Sequence, residues 1–152
     1  MHFDKLQRGE IIACVGGFLL AVAVFLPWYS TDSGNPNSRI NGRTCDFSAW
    51  DAHTVSRFLF LLGAAAPFIL AWIVVREHQL SWPRGEMTAV LAMVGLVLVL
   101  YVGVIARPGQ PAGAVSLGAG WYLAALGCIL ECAGGAVRAG STERPRKPPG
   151  VL

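Results

Sequence analysis

The chain has 152 residues, 54% hydrophobic and 14% charged, with a net charge of +3 and a mean hydropathy of +0.52. A soluble domain carries about 25% charged residues, so this composition is too poor in charge to cover a water-exposed surface and points to lipid as the solvent. The length allows one domain, and the basic residues sit at the ends of apolar runs without forming a stripe, which excludes a nucleic-acid footprint.

The first apolar run, 11–29, follows Arg8-Gly9-Glu10 and ends in Pro27-Trp28-Tyr29. Ala21-Val22-Ala23 has the small-x-small pattern of a cleaved signal. However, Lys5 and Arg8 are offset by Asp4 and Glu10, and the apolar run continues past that site. Ile11-Ile12-Ala13-Cys14 fails as a lipoprotein box because Glu10 directly precedes it. The run therefore reads as a retained anchor. Next comes the only long connection, 30–57. It opens on Asp32-Ser33-Gly34-Asn35-Pro36-Asn37 and places Asn41-Gly42 between Ile40 and Arg43, a hairpin signal. Ser48 with Asp51 three residues later has the spacing of a helix N-cap, so the second helix is expected to begin near Ala49.

The second run, 58–75, contains Pro67. Inside a bundle, neighbouring helices can satisfy the carbonyl that proline leaves free, so a kink over 64–67 is expected. The third run is 87–106, and the fourth, 114–137, holds one acid, Glu131. A helix needs about 20 apolar residues to cross a ~30 Å hydrocarbon layer. These four runs are long enough and too evenly apolar for amphipathic surface helices. They also lack the alternation of a barrel strand. Short connections at 76–86 and 107–113 favour antiparallel sequential neighbours. The expected fold is all-α: a four-helix transmembrane bundle over 1–137, up-down-up-down. It carries an outer loop at 30–57 and a basic, proline-rich tail at 138–152 that is expected to be disordered.

Lys and Arg accumulate on the cytoplasmic side. Lys5, Arg8, Arg76, Arg84, Arg138, Arg144, Arg146 and Lys147 lie on one side, against Arg39, Arg43, Arg57 and Arg107 on the other. Both termini are therefore expected inside, in a multi-pass plasma-membrane protein. Trp28, Tyr29, Trp121 and Tyr122 would mark the outer interface, and Trp72 and Trp82 the inner one. Arg8-Gly9-Glu10 recurs as Arg84-Gly85-Glu86 before the third run, which puts a glutamate in the first turn of each helix, where the dipole favours it. Two readings stand: independent helix starts, or duplicated hairpins covering 1–76 and 77–138.

The chain resembles a group of small, uncharacterised four-span membrane proteins, mostly actinobacterial. The resemblance rests on Arg8-Gly9-Glu10, Phe25-Leu26-Pro27-Trp28-Tyr29, Ser48-Ala49-Trp50-Asp51-Ala52, Gly118, Gly120, Trp121-Tyr122-Leu123 and Gly134-Gly135. It implies topology and contributes no reaction. Cys45 is not expected of that group.

Glu131 is the principal polar candidate. It precedes Arg138 by seven positions, roughly 10 Å inside the helix end, where an ionised acid is costly unless protonated, paired or turned to the interior. It reads either as a proton or cation site, or as a structural hydrogen bond or a carboxylate reaching toward the interface and Arg138. Gly120, Ala124, Cys128, Cys132 and Ala136 recur every four residues, a small-residue ladder that lets another helix approach closely. Cys-x-x-Cys is absent, so thiol–disulfide catalysis is not expected. Cys14, Cys128, Cys132 and Glu131 make a conceivable soft-metal set, with helix packing the favoured reading of the cysteines, and Cys45 stands alone outside, to pair between chains or stay free. His2, His53 and His78 fall outside the hydrocarbon zone, which excludes a bis-histidine haem in the bundle. His53 and Arg57 are expected to share a helix face at the outer entrance, and with Asp46 and Asp51 nearby they suggest an anion or metal site or simply a solvated helix start. No phosphate loop, zincin motif or nucleophile elbow occurs. The expectation is a non-enzymatic protein without cofactor, surrounded by lipid, that associates with itself or with membrane partners through the fourth helix or the outer loop. The alternative is a small transporter or channel subunit built on Glu131.

Overall fold

The computed structural model describes residues 6–32, 34–35, 37–76, 84–109 and 114–141. Residues 77–83 of the 76–86 connection, with His78 and Trp82, lie outside the described residues, as do His2, Lys5 and the tail from residue 142.

Helix α1 (Arg8–Ala23) begins where the Glu10 carboxylate accepts the Gln7 backbone N–H at 2.8 Å, the reach-back half of a capping box. It has 16 residues, about 24 Å at ~1.5 Å per residue, and stops well short of Tyr29. Pro27 cannot donate to a helical ladder, and the Trp28 indole N–H takes the Ala23 carbonyl at 2.7 Å. The chain continues as strand β1 (Pro27–Thr31), then β2 (Asp46–Ser48) and a single helical turn, α2 (Ala49–Ala52). Ser48 caps α2 as expected, its hydroxyl accepting the Asp51 N–H at 3.2 Å. The helix does not run on from there. It breaks at His53 before α3 (Ser56–Val75), which passes unbroken through Pro67. Helix α4 (Arg84–Leu100) ends in a π-helical segment over Tyr101–Ile105. Strand β3 (Val115–Leu117) then leads into α5 (Ala119–Ser141).

Three of these helical stretches, Ser56–Val75, Gly85–Ile105 and Ala119–Ser141, are long and apolar enough to cross a membrane, and they support a membrane protein. They leave large apolar side chains outward, among them Leu62, Val97 and Leu126, as a lipid-facing surface requires. The expectation of helix across the whole of 11–29 and 114–137 is corrected by the sheet. Both runs give up one end to strands, because β1 lies between β2 and β3, antiparallel to each, with Ser30 opposite Asp46 and Ser116. The Asn41-Gly42 signal is realised as well: Ile40 and Arg43 pair across it, with both turn residues at positive φ, the geometry of a two-residue primed turn.

Helix α5 packs between α1 and α4, while α3 lies on α1 and more lightly on α4. The close approaches are made by glycine. A Cβ on Gly9 would sit 2.6 Å from the Gly134 carbonyl oxygen, and one on Gly134 2.5 Å from that of Gly9. Gly16 and Gly127 oppose each other in the same reciprocal way, and so do Gly85 and Gly135. The two Arg-Gly-Glu starts thus play the same structural role, since each glycine seats its helix on one of the tandem glycines of α5. At this spacing Cα–H groups face carbonyl oxygens across the interface, and dispersion contacts replace the hydrophobic drive that lipid does not supply.

Candidate functional site

The small-residue ladder does form a packing face, but within the chain. Gly120, Ala124 and Cys128 are buried, Cys132 is half-buried, and Ala136 is exposed. Cys128 Sγ lies 3.5 Å from where a Cβ on Gly95 would be, and the Cys132 thiol points to the Ala89 carbonyl at 3.8 Å. Within the chain, α4 takes the Cys128–Cys132 part of the ladder, Trp28 and the 26–27 backbone take Gly120, and Ala136 is left exposed. A helix placed between two others needs small residues on two faces, and the second face, Gly127 and Gly134 against α1, lies outside a single every-fourth-residue stripe.

Glu131 projects from that second face. It is 2% exposed, and its Oε1 has no hydrogen-bond partner. Its neighbours are Gly16 and Gly17 of α1, and Gly17 in turn abuts the Ala64 carbonyl and the Pro67 ring of α3. Arg138, offered by the sequence as its partner, pairs instead with Glu10, Nε to Oε1 at 3.3 Å.

At the sheet end, side chains close the backbone groups that the π-helical segment leaves open. The Trp121 indole N–H donates to the Val99 carbonyl at 2.9 Å. Arg107 donates Nε to Gly103 at 2.9 Å and Nη1 to Val115 at 2.8 Å. The Tyr29 hydroxyl lies 3.0 Å from the Val102 carbonyl and 2.8 Å from His53 Nε2. A carbonyl only accepts, so the phenol hydrogen goes to Val102, and His53 Nε2 carries the hydrogen donated to the Tyr29 oxygen. Burial raises the Tyr29 phenol well above its ordinary value, opposed by the Arg107 charge.

His53 and Arg57 do not share a helix face as the sequence suggested, because the chain breaks between them. The imidazole packs edge-on to Trp28, Tyr29 and Phe60. Arg57 donates to the Trp50 carbonyl at 3.1 Å and lies over the Trp50 and Phe58 rings. Burial lowers the His53 pKa from 6.5. The folded protein therefore refuses a proton that the unfolded chain accepts, and stability is full above pH ~6.5 and declines as pH falls from there toward the folded value. Thermal midpoints taken from neutral to mildly acidic pH should show this decline, and His53→Gln should flatten it.

Hydrogen bonds and packing tie the described part of the long connection to its neighbours. Ser38, fully buried, accepts the Asp32 N–H at 3.1 Å and donates to the Ala114 carbonyl at 2.9 Å. Ile40 inserts beside Gly109 and Val115, Thr31 donates to the Cys45 carbonyl, and Ser30 to the Asp46 carboxylate. Above these lies a polar groove of about 440 Å³ lined by Asn41, Arg43, Cys45, Asp46, Phe47 and Asp51. Among the described residues no group of three or more His, Cys, Asp or Glu is placed to hold a metal. The sheet escaped the sequence reading, which placed Trp28 at the outer interface and not as its fully buried anchor. The available signal was Pro27 followed by four residues, Trp-Tyr-Ser-Thr, three of which favour strands. In comparisons with known proteins, no family model, curated protein or solved structure matches the chain.

Proposed function

We propose that this chain is a non-enzymatic plasma-membrane protein of four spans, up-down-up-down, with both termini cytoplasmic. It acts by association, through the outer platform built from β1–β3 and the 30–57 connection. The observation that supports this reading is the exposed polar groove over Arg43, Asp46 and Asp51, carried on a loop tied by Ser38 to the Ala114 carbonyl just before β3 and by the Trp50 N–H to the Val24 carbonyl at the end of α1. Ordering a loop of this length costs about 1–2 kcal/mol per residue in backbone entropy, and a loop that merely connected two spans would have no use for that order. Cys45 is exposed at the groove, whereas Cys14, Cys128 and Cys132 are at least partly buried, so a thiol-reactive photocrosslinker can be placed on Cys45 in native membranes. A discrete adduct is expected, of this chain with itself or with one partner, and Arg43→Glu combined with Asp46→Arg should abolish it. An adduct pattern indifferent to the charge reversal defeats the reading.

A second reading, a small transporter or channel subunit in which Glu131 is the intramembrane site, is supported by a carboxyl oxygen that is buried without a partner.

A further inference from the structure

The glycines within the helices divide into two kinds. At most of them a Cβ would come within 3 Å of an atom on another segment, so close packing inside the chain explains the missing side chain. Gly63 and Gly95 are different. A Cβ on Gly63 would meet only Leu20 Cδ2 at 3.8 Å, and one on Gly95 only Cys128 Sγ at 3.5 Å, both ordinary contacts. Glycine is disfavoured in a helix interior, and no described neighbour requires it at these two positions. The other helical glycine with such room among the described residues is Gly140, in the last turn of α5.

Gly63 and Gly95 line one groove, of about 440 Å³, between α3 and α4. Its walls run from Leu59 to Ile73 on α3 and from Met87 to Leu98 on α4, and they consist of apolar side chains and glycine alone. Both helices belong to stretches long and apolar enough to cross a membrane, so the groove opens to hydrocarbon. The walls extend roughly 16–21 Å at ~1.5 Å per residue. Over that length the volume averages about 20–27 Å² in cross-section, a channel roughly 5–6 Å wide. A hydrocarbon chain, whose carbons sit ~3.5–4 Å from their neighbours, fits that width. An α-helix, ~10–12 Å across, does not. The length also suits a lipid chain, which reaches about 15 Å, half of the ~30 Å hydrocarbon layer.

The two ends of the groove differ. Leu70 and Thr88 wall the same small void beside Arg138, which sets Ile73 and Met87 at one end and Leu59 and Leu98 at the other. Charge marks the Ile73–Met87 end. Arg76 closes α3 one turn beyond Ile73, its guanidinium over the exposed Trp72 ring at 4.6 Å, and the exposed Glu86 adjoins Met87. A tryptophan beside an arginine suits the headgroup level of a bilayer, and a guanidinium matches the geometry of a phosphate.

We propose that the α3–α4 groove holds one acyl chain of a membrane phospholipid, with the lipid phosphate at Arg76. Gly63, Ala66 and Gly95 keep room for the chain, and the larger side chains along both walls flank it.

Native mass spectrometry of the full-length protein tests this, after purification in detergent and incubation with dipalmitoyl phosphatidylglycerol. One retained lipid per chain is expected. Gly63→Leu and Ala66→Leu fill the groove and should each lower the retained fraction by about 10-fold or more, the effect of losing about two buried methylenes. Thermal midpoints without lipid report folding, and either folded variant decides the question. Arg76→Gln should weaken retention of phosphatidylglycerol by about 10-fold, as for a lost charge-assisted hydrogen bond, and leave unchanged that of dipalmitoyl glycerol, which has the same chains and no phosphate. A parent protein that retains no lipid, or a folded filled variant that retains as much as the parent, overturns the proposal. So does a dimer that the filled variants abolish, because the groove then seats a second copy. Equal loss of both lipids in Arg76→Gln, or loss of neither, overturns the placement of the phosphate.

Discussion

Gly16→Leu is expected to prevent assembly of the helices, and Gly16→Ala to destabilise them by about 1–3 kcal/mol, the usual range for overpacking. The reason is what a side chain would meet: a Cβ at Gly16 lies 2.5 Å from the Gly127 carbonyl oxygen and 2.7 Å from the Glu131 nitrogen. Both are backbone atoms of α5, so no rotamer change can relieve the overlap and the helices must move apart. Separation also breaks the neighbouring glycine contacts at Gly9 and Gly134, because a rigid helix cannot withdraw at one turn only. Helix propensity opposes this outcome, since alanine is favoured over glycine by about 1 kcal/mol in a helix interior, and packing must exceed that term. Gly140 supplies the control. It also lies in α5 but has nothing within 4 Å of its Cβ position, so Gly140→Ala should be neutral or slightly stabilising. Thermal midpoints in detergent, followed by tryptophan fluorescence and by retention of a monodisperse species, separate the two. Equal midpoints for Gly16→Ala and Gly140→Ala would show that the close approach of α1 and α5 is not required.

Trp28→Ala carries the second large effect, about 3–5 kcal/mol, as expected for truncating a fully buried large aromatic residue. Trp28 is 0% exposed. It stacks against Phe60 at 4.9 Å between ring centroids and closes α1 through the Ala23 carbonyl. Its own carbonyl accepts the Gly118 N–H at 2.7 Å, and Gly120 of α5 is pressed against its indole. One residue thus joins the end of α1, the start of α5 and the flank of α3. The damage should concentrate at the sheet end. Limited proteolysis should cleave within 30–48 far faster than in the parent protein, while helix content measured by circular dichroism changes little. Trp28→Phe keeps most of the buried area and loses the indole hydrogen bond, so its cost should be nearer 1 kcal/mol. Unaltered proteolysis in Trp28→Ala would mean that the platform is held by its own hydrogen bonds and not by this anchor.

The features readable from sequence share one property: each is decided within a few residues. Apolar runs become helices because a chain in hydrocarbon must satisfy its amides within its own segment, and that held for 58–75 and for most of 87–106. Ser48 capped α2 and Asn41-Gly42 turned the chain, each through local φ/ψ and a nearby hydrogen bond. Glu131 could be singled out as a costly group, and its burial follows from that cost.

Pro27 marks locally where the first helix must end, but the tertiary structure alone decided how the sheet pairs and which faces of α5 are taken. Residues 27–29 and 115–117 are apolar enough to continue helices. They become strands because β1 meets partners far away in sequence, Ser30 and Ser116 being 86 positions apart, and no local propensity encodes that pairing. The π-helical segment likewise persists where Tyr29 and Arg107 take up its Val102 and Gly103 carbonyls and Trp121 takes that of Val99 just before it. Arg138 is within reach of Glu131 along one helix, yet it pairs with Glu10 from another, because the glycine contacts set α1 and α5 close enough for the ion pair. Local chemistry chose the segments that become helices, and long-range packing chose how far each one runs and what its polar groups meet.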